Sequence, residues 1–196
     1  MDKSQLGALQ NRWTPHDSEA AIHWLLGKGA APFTRLADGR EDLRGLTITQ
    51  FIKNVSLKNI DFSGAATVGF GQFGMCMIAG CRFSNATLTT NLGHRFQDCD
   101  FTAAKMSGAV MRGEFADCNF SSANLTGVRG GQVQFVRCVF SQANLRKATL
   151  THCSFTECEF EGCKFGSGSL SYSKFVSSPI EPESLGNTLL EKVVTS

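Results

Sequence analysis

The chain has 196 residues, one domain's worth, and its net charge of +2 at pH 7 gives no general pull toward nucleic acid or an anionic membrane. Sixteen Phe stand against one Tyr and two Trp, so rings are wanted without a polar handle, as in a core. No apolar run reaches the roughly 20 residues of a membrane span, and Met1-Asp2-Lys3-Ser4-Gln5 lacks a signal-peptide core, so a cytoplasmic protein with no membrane contact is expected.

Residues 1–50 hold both tryptophans and lack the pattern that dominates the rest, so they read as an N-terminal cap. One short helix is predicted over about residues 17–28, with Asp17 or Thr14 near its start and Gly27 or Gly29 near its end. Its Ile22, Leu25 and Leu26 face is expected to lie on the first coil of the repeating region beyond residue 50.

From Val55 to Ile180 a large apolar residue recurs about every five residues, with a small residue two positions before it. That period fits neither a helix nor a plain strand; it fits a coil that turns one corner per repeat. The step runs through Phe115, Phe120, Leu125, Phe135, Phe140, Leu145, Leu150, Phe155, Phe160, Phe165, Leu170 and Phe175, broken only at Gly130. Upstream, slips of four fall near Met111 and Leu92, and one of six is placed between Phe62 and Val68.

Four repeats per coil would stack every fourth centre, and residue type is indeed kept down such columns. One column reads Phe62, Phe83, Phe101, Phe120, Phe140, Phe160 and Ile180, with small positions Cys81, Cys99, Cys118, Cys138 and Cys158. The next has centres Val68, Leu88, Met106, Leu125, Leu145 and Phe165, with small positions Ala66, Ala86, Ala104, Ala123 and Ala143. A mere five-residue tandem repeat would not require this.

Ala123-Asn124-Leu125, Ala143-Asn144-Leu145 and Cys138-Val139-Phe140 resemble the A(D/N)LXX motif of pentapeptide-repeat proteins and its Cys/Phe variants. The resemblance implies an all-β solenoid, a right-handed quadrilateral β-helix, over residues 51–180, with short helical caps at both termini. About six coils, roughly 30 Å long at the usual strand spacing, are expected. Residues 181–196 then read as a weak terminal helix that covers the last rung of its own chain or, as in several relatives, pairs with a second copy as a homodimer.

All eight cysteines occupy the small inward position, and core filling accounts for them better than disulfides or metal. Gly69-Phe70-Gly71-Gln72-Phe73-Gly74 spells a dinucleotide fingerprint but sits inside the coil, so no cofactor is expected. In the same stretch Phe70, Met75 and Met77 take outward places. Cover by the N-terminal cap is the favoured reading and a docking patch the other. The four histidines form no metal spacing, and no nucleophile motif accompanies them, so an enzyme is the least favoured class.

The best-known activity in the family that the chain resembles is protection of DNA gyrase and topoisomerase IV from quinolones, attributed to a rod with the width and negative surface of B-DNA. Between residues 55 and 180, however, eight acids face eleven bases. That is no DNA mimic, and bases interspersed with acids give no direct nucleic-acid site. The function expected is a non-enzymatic scaffold for a protein partner. Topoisomerase protection conferring resistance or self-immunity is the alternative, resting on whether Asp98, Asp100, Glu114 and Asp117 gather on one side.

Overall fold

The computed structural model describes residues 1–195, which form two helices followed by a parallel β-solenoid of about eight turns. Rungs are about twenty residues apart and in register: Gln134 pairs with Ser154, and Ser154 with Lys174. Every strand-to-strand pairing along the stack is parallel. Each coil has four sides, named here by their centres in one coil: the Phe101, Met106, Met111 and Phe115 sides.

The apolar centres fill the interior as ladders. Phe62, Phe83, Phe101, Phe120, Phe140 and Phe160 stack face to face at 4.8 to 5.2 Å between ring centroids. Phe96, Phe115, Phe135, Phe155 and Phe175 form a second ladder at 4.6 to 5.5 Å. The two meet edge-on, as Phe115 and Phe120 do at 5.8 Å, so positive ring edges lie against negative faces. The small position admits this packing: Cys81, Cys99, Cys118, Cys138, Cys158, Ala86, Ala104, Ala123 and Ala143 are all buried beside the ladders.

Three expectations about the coil need correction, and the first and third of them lengthen it from the roughly six turns expected to about eight. First, the coil begins at Glu41, paired with Ile60, and not after residue 50. Leu43, Ile48, Ile52 and Leu57 are the buried centres of this first turn. Their pattern was masked because Leu46 occupies the small position. Second, the register near Val68 is shifted by one. Ala66 pairs with Thr87, so Ala65 and Thr67 are the inward residues, and Val68 lies outside, 47% exposed. The six-residue step therefore falls between Thr67 and Phe73, where the chain swells outward at residues 69–71. Gly71 permits the return, because a Cβ there would lie 1.8 Å from the carbonyl oxygen of Ile48.

Third, the terminal segment is mostly coil rather than helix. Only α3 (Pro182–Leu185) is helical, ended by Gly186. Leu189 then bridges to Ser169, and Val194 and Thr195 pair with Lys174 and Phe175. Leu185 and Leu190 continue the five-residue step, which explains why helical periodicity did not prevail. Ser196 lies outside the described residues.

The cap holds two helices where one was expected: α1 (Lys3–Asn11) and α2 (Pro15–Leu25). In α1 the Asp2 carboxylate accepts the Gln5 N–H while the Gln5 side chain accepts the Asp2 N–H, a reciprocal cap. Thr14 caps α2, with Pro15 in its first turn. Ala21, Ile22 and Leu25 of α2 are buried on the first coil, Leu26 only partly. The helix α1 was missed because Leu6 and Leu9 are its only strong apolar residues. What seats it is a bare corner: a Cβ on Gly45, at φ +74°, would lie 2.4 Å from the Leu9 backbone.

An ion pair locks cap to coil. Arg12 reaches Asp42 with both terminal nitrogens at 2.7 Å, and Arg44 does so with Nε and Nη2 at 2.9 Å. Burial penalises the Asp42 charge, but the Arg44 and Arg12 hydrogen bonds outweigh it and hold the carboxyl well below the usual carboxylate range. A depressed folded pKa contributes stability above the unfolded value of about 3.9 that is lost as pH falls through the folded one.

Two outcomes follow from this packing. Phe120→Ala, at a fully buried site in the first ladder and edge-on to the second, should cost about 3–5 kcal/mol in urea unfolding, and a loss below about 1 kcal/mol would overturn the core role. Asp42→Asn should cost about 1.5–3 kcal/mol near neutrality. Its gap from wild type should shrink as unfolding is repeated toward strongly acidic pH, and a gap that stays constant would deny the ion pair its role.

Candidate interaction surface

The cap does not cover the outward apolar residues. Phe70 stands 85% exposed on the swollen corner, Met75 63% and Met77 52%, with Val68 and Phe51 nearby. Met77 is held on the strand Gln72–Ala79, paired on both edges beyond a register shift between Phe73 and Cys76. Met75 projects because its backbone is left-handed, φ +52°. The Phe51 ring lies over Gly74, where a Cβ would come within 2.5 Å of its Cε2. Helix α2 instead packs on the end of the stack, beside Thr47–Ile48. The stretch 69–74 thus forms a corner and a strand start, without the strand-loop-helix setting a dinucleotide needs.

The four acids do come together around one corner but are largely spoken for. Glu114 Oε1 accepts from Arg95 Nη2 at 2.9 Å, and Asp117 accepts from Arg137 Nε at 2.6 Å. The Arg137 hydrogen bond, ahead of a smaller burial effect, keeps the Asp117 carboxyl below its ordinary range. Asp100 turns along its own side, accepting from Ser84 Oγ at 2.5 Å and from the Thr102 N–H at 2.9 Å. Asp98 is exposed on the left-handed corner, φ +51°, one rung before Asp117.

The bases are segregated, and linear reading missed this. Lys105, Arg112, Arg129, Arg146, Lys147 and Lys164 are exposed on the Met106 and Met111 sides. No acid between residues 55 and 180 shares those sides. The signal was available in the twenty-residue register, had the charges been sorted by side rather than counted along the chain.

The cysteines are all free and buried. In the Cys81 column, Cys99, Cys118, Cys138 and Cys158 each donate to a carbonyl on the rung before, Cys138 to Phe115 at 3.2 Å and Cys158 to Phe135 at 3.5 Å, while Cys81 donates to Ala79. Ser178 makes the same bond to Phe155 at 3.1 Å, so the position wants a small donor. Burial pushes the thiols of Cys81 and Cys163 up to about 12 and that of Cys153 to about 11. Among the described residues no cluster of three or more His, Cys, Asp or Glu is arranged to hold a metal ion, and no helix is long and apolar enough to cross a membrane. A thiol-directed probe should therefore label none of the eight cysteines in the native protein within minutes and all eight in urea. Rapid native labelling would contradict the closed ladder.

The fold and these columns define a β-solenoid repeat protein. Residues 109–188 match a sequence model described as the pentapeptide repeat region, so that stretch is a run of pentapeptide repeats. Among solved structures the chain is similar to a trypsin-treated variant of QnrB1, a plasmid-mediated fluoroquinolone resistance protein, at 18% identity and a TM-score of 0.50, over 74% of this chain and 84% of that one. It also matches HetL, a pentapeptide repeat protein of Nostoc sp. strain PCC 7120, at 16% identity and a TM-score of 0.34, over 80% and 90% of the two chains. A comparison with curated protein sequences gave no match.

Proposed function

We propose that the chain is a non-enzymatic scaffold that binds a protein partner through the outer surface of its solenoid. The observation that carries this reading is the series of exposed apolar side chains Val68, Phe70, Met75 and Met77, which runs from the corner before the Met111 side onto the Phe115 side. Exposed apolar surface is unfavourable in water, and covering it is favourable by about 25 cal/mol per Å². A rigid sheet presents that surface with little ordering cost. Catalysis has less support, because among the described residues the interior is filled mainly by apolar side chains rather than by converging polar groups.

Topoisomerase protection, the alternative, has the fold shared with a fluoroquinolone resistance protein behind it. Against it stand Glu114 and Asp117, whose charges are matched by Arg95 and Arg137 and so do not form the free acidic face that duplex mimicry needs.

The test compares wild type with a Phe70→Ser/Met77→Ser variant, first checked for an unchanged circular dichroism spectrum, as bait in extract of the source cells. A discrete partner retained by wild type and lost from the variant is the expected result. Identical sets of captured proteins would overturn the scaffold reading for this surface. Gyrase supercoiling with a quinolone, titrated with the protein, separates the alternative: rescue would establish it.

A further inference from the structure

The solenoid sorts its charges. Between residues 55 and 180 the Met106 and Met111 sides carry six of the eleven bases and none of the eight acids, which all lie on the Phe101 and Phe115 sides. On those acidic sides the arginines are matched: Arg82 with Asp38, Arg95 with Glu114, Arg137 with Asp117. Among the described residues none of the six bases opposite has a carboxylate within 4.0 Å.

Their placement follows from the register. Lys105 and Lys164 stand in one outward column with Asn124 and Asn144 between them, and Arg146 and Lys147 follow Asn144 on the same side. Arg112 and Arg129 lie on adjacent rungs of the Met111 side, Arg129 between Val110 and Thr149. Adjacent rungs are about 4.8 Å apart, so these cations reinforce one another's potential. Like charges gathered on two sides weaken the folded chain, and no carboxylate among the described residues lies within 4.0 Å of them.

The centre of this face is hollowed. Gly130 replaces the large centre of its column, its space filled from within by Val133 and Leu150, and a Cβ on Gly131 would meet nothing within 4 Å. An open recess of about 540 Å³ results, bordered by Arg112, Arg129, Thr149 and Thr151. The exposed corner at Phe70 joins the same two sides toward the N-terminal end, since it lies between Thr67 and Phe73. Apolar anchor and cationic recess are thus parts of one surface.

We propose that the Met106 and Met111 sides bind an acidic protein segment, with carboxylates laid across Arg112 and Arg129 over Gly131 and an apolar side chain on Phe70. This rests on the scaffold reading and names the chemistry of its partner. Charge complementarity selects an anion, and arginines can grip carboxylates in a bidentate fork. The apolar part selects protein over nucleic acid, since a phosphate backbone makes no use of an exposed Phe. The acidic sides and a net charge of only +2 also remove the broad positive field that draws polyanions.

The experiment is fluorescence anisotropy on the full chain with three probes: a labelled peptide in which a Leu-Phe pair leads into a run of glutamates, its glutamine counterpart, and a short DNA duplex. The glutamate peptide should bind, and the glutamine peptide about tenfold more weakly or worse. Arg112→Glu with Arg129→Glu should weaken glutamate-peptide binding about tenfold, and Phe70→Ser about threefold, while Lys174→Glu on the Phe115 side leaves it unchanged. Failure of the glutamate peptide to bind, equal binding of the glutamine peptide, or tighter binding of the duplex would each overturn the proposal. If any of these occurs while the Phe70-dependent partner is still captured from extract, the scaffold reading stands and only the acidic-segment proposal falls.

Discussion

The parallel register between rungs is the constraint on which everything else depends. Each coil must return to its starting point about twenty residues later, or its backbone donors miss the carbonyls of the next rung. That return forces like side chains to stack at the strand spacing, which flat Phe rings fill well and branched polar residues do not. It also favours a small inward residue before each centre, though Leu46, Ile60 and Val133 fill that position in some coils. Cys, Ala and Ser meet that need, and Cys and Ser add a donor for the carbonyl of the rung before.

The same constraint governs where irregularity is tolerated. Steps of four between Leu92 and Phe96 and between Met111 and Phe115 leave the strands Asn91–Gln97 and Val110–Ala116 running unbroken where other coils turn. The six-residue step has the opposite effect and pushes Phe70 into solvent. Since rungs above and below stay in register, each slip is absorbed locally as surface shape, and the apolar and hollowed parts of the candidate surface lie close to such departures.

Legibility in the sequence was uneven for physical reasons. The Phe and Cys columns declared the fold because interior stacking demands the same residue type rung after rung. The first turn was hidden because Leu, Ile and a bulky small-position residue, Leu46, replace the marker residues under the cap. Helix α1 was hidden because its contact is a backbone resting on glycine, which leaves no apolar period to read. At the other end, Leu185 and Leu190 kept the five-residue step, but Pro182 and the helix-favouring residues around them suggested a helix instead.

For the candidate surface the division is sharper. The outward places of Phe70, Met75 and Met77 could be read from the pattern, because a side chain at a non-inward position has nowhere else to go. Whether the cap reached them could not, since that depends on where Arg12, Asp42 and Arg44 lock the helices. By itself the sequence determined the repeat, its four-sided coil and the identity of the core ladders, because these follow from local spacing and interior volume. Only the tertiary structure decided which charges answer one another: a carboxylate and a guanidinium twenty residues apart become neighbours on one side of the coil, while closer pairs in sequence face opposite directions.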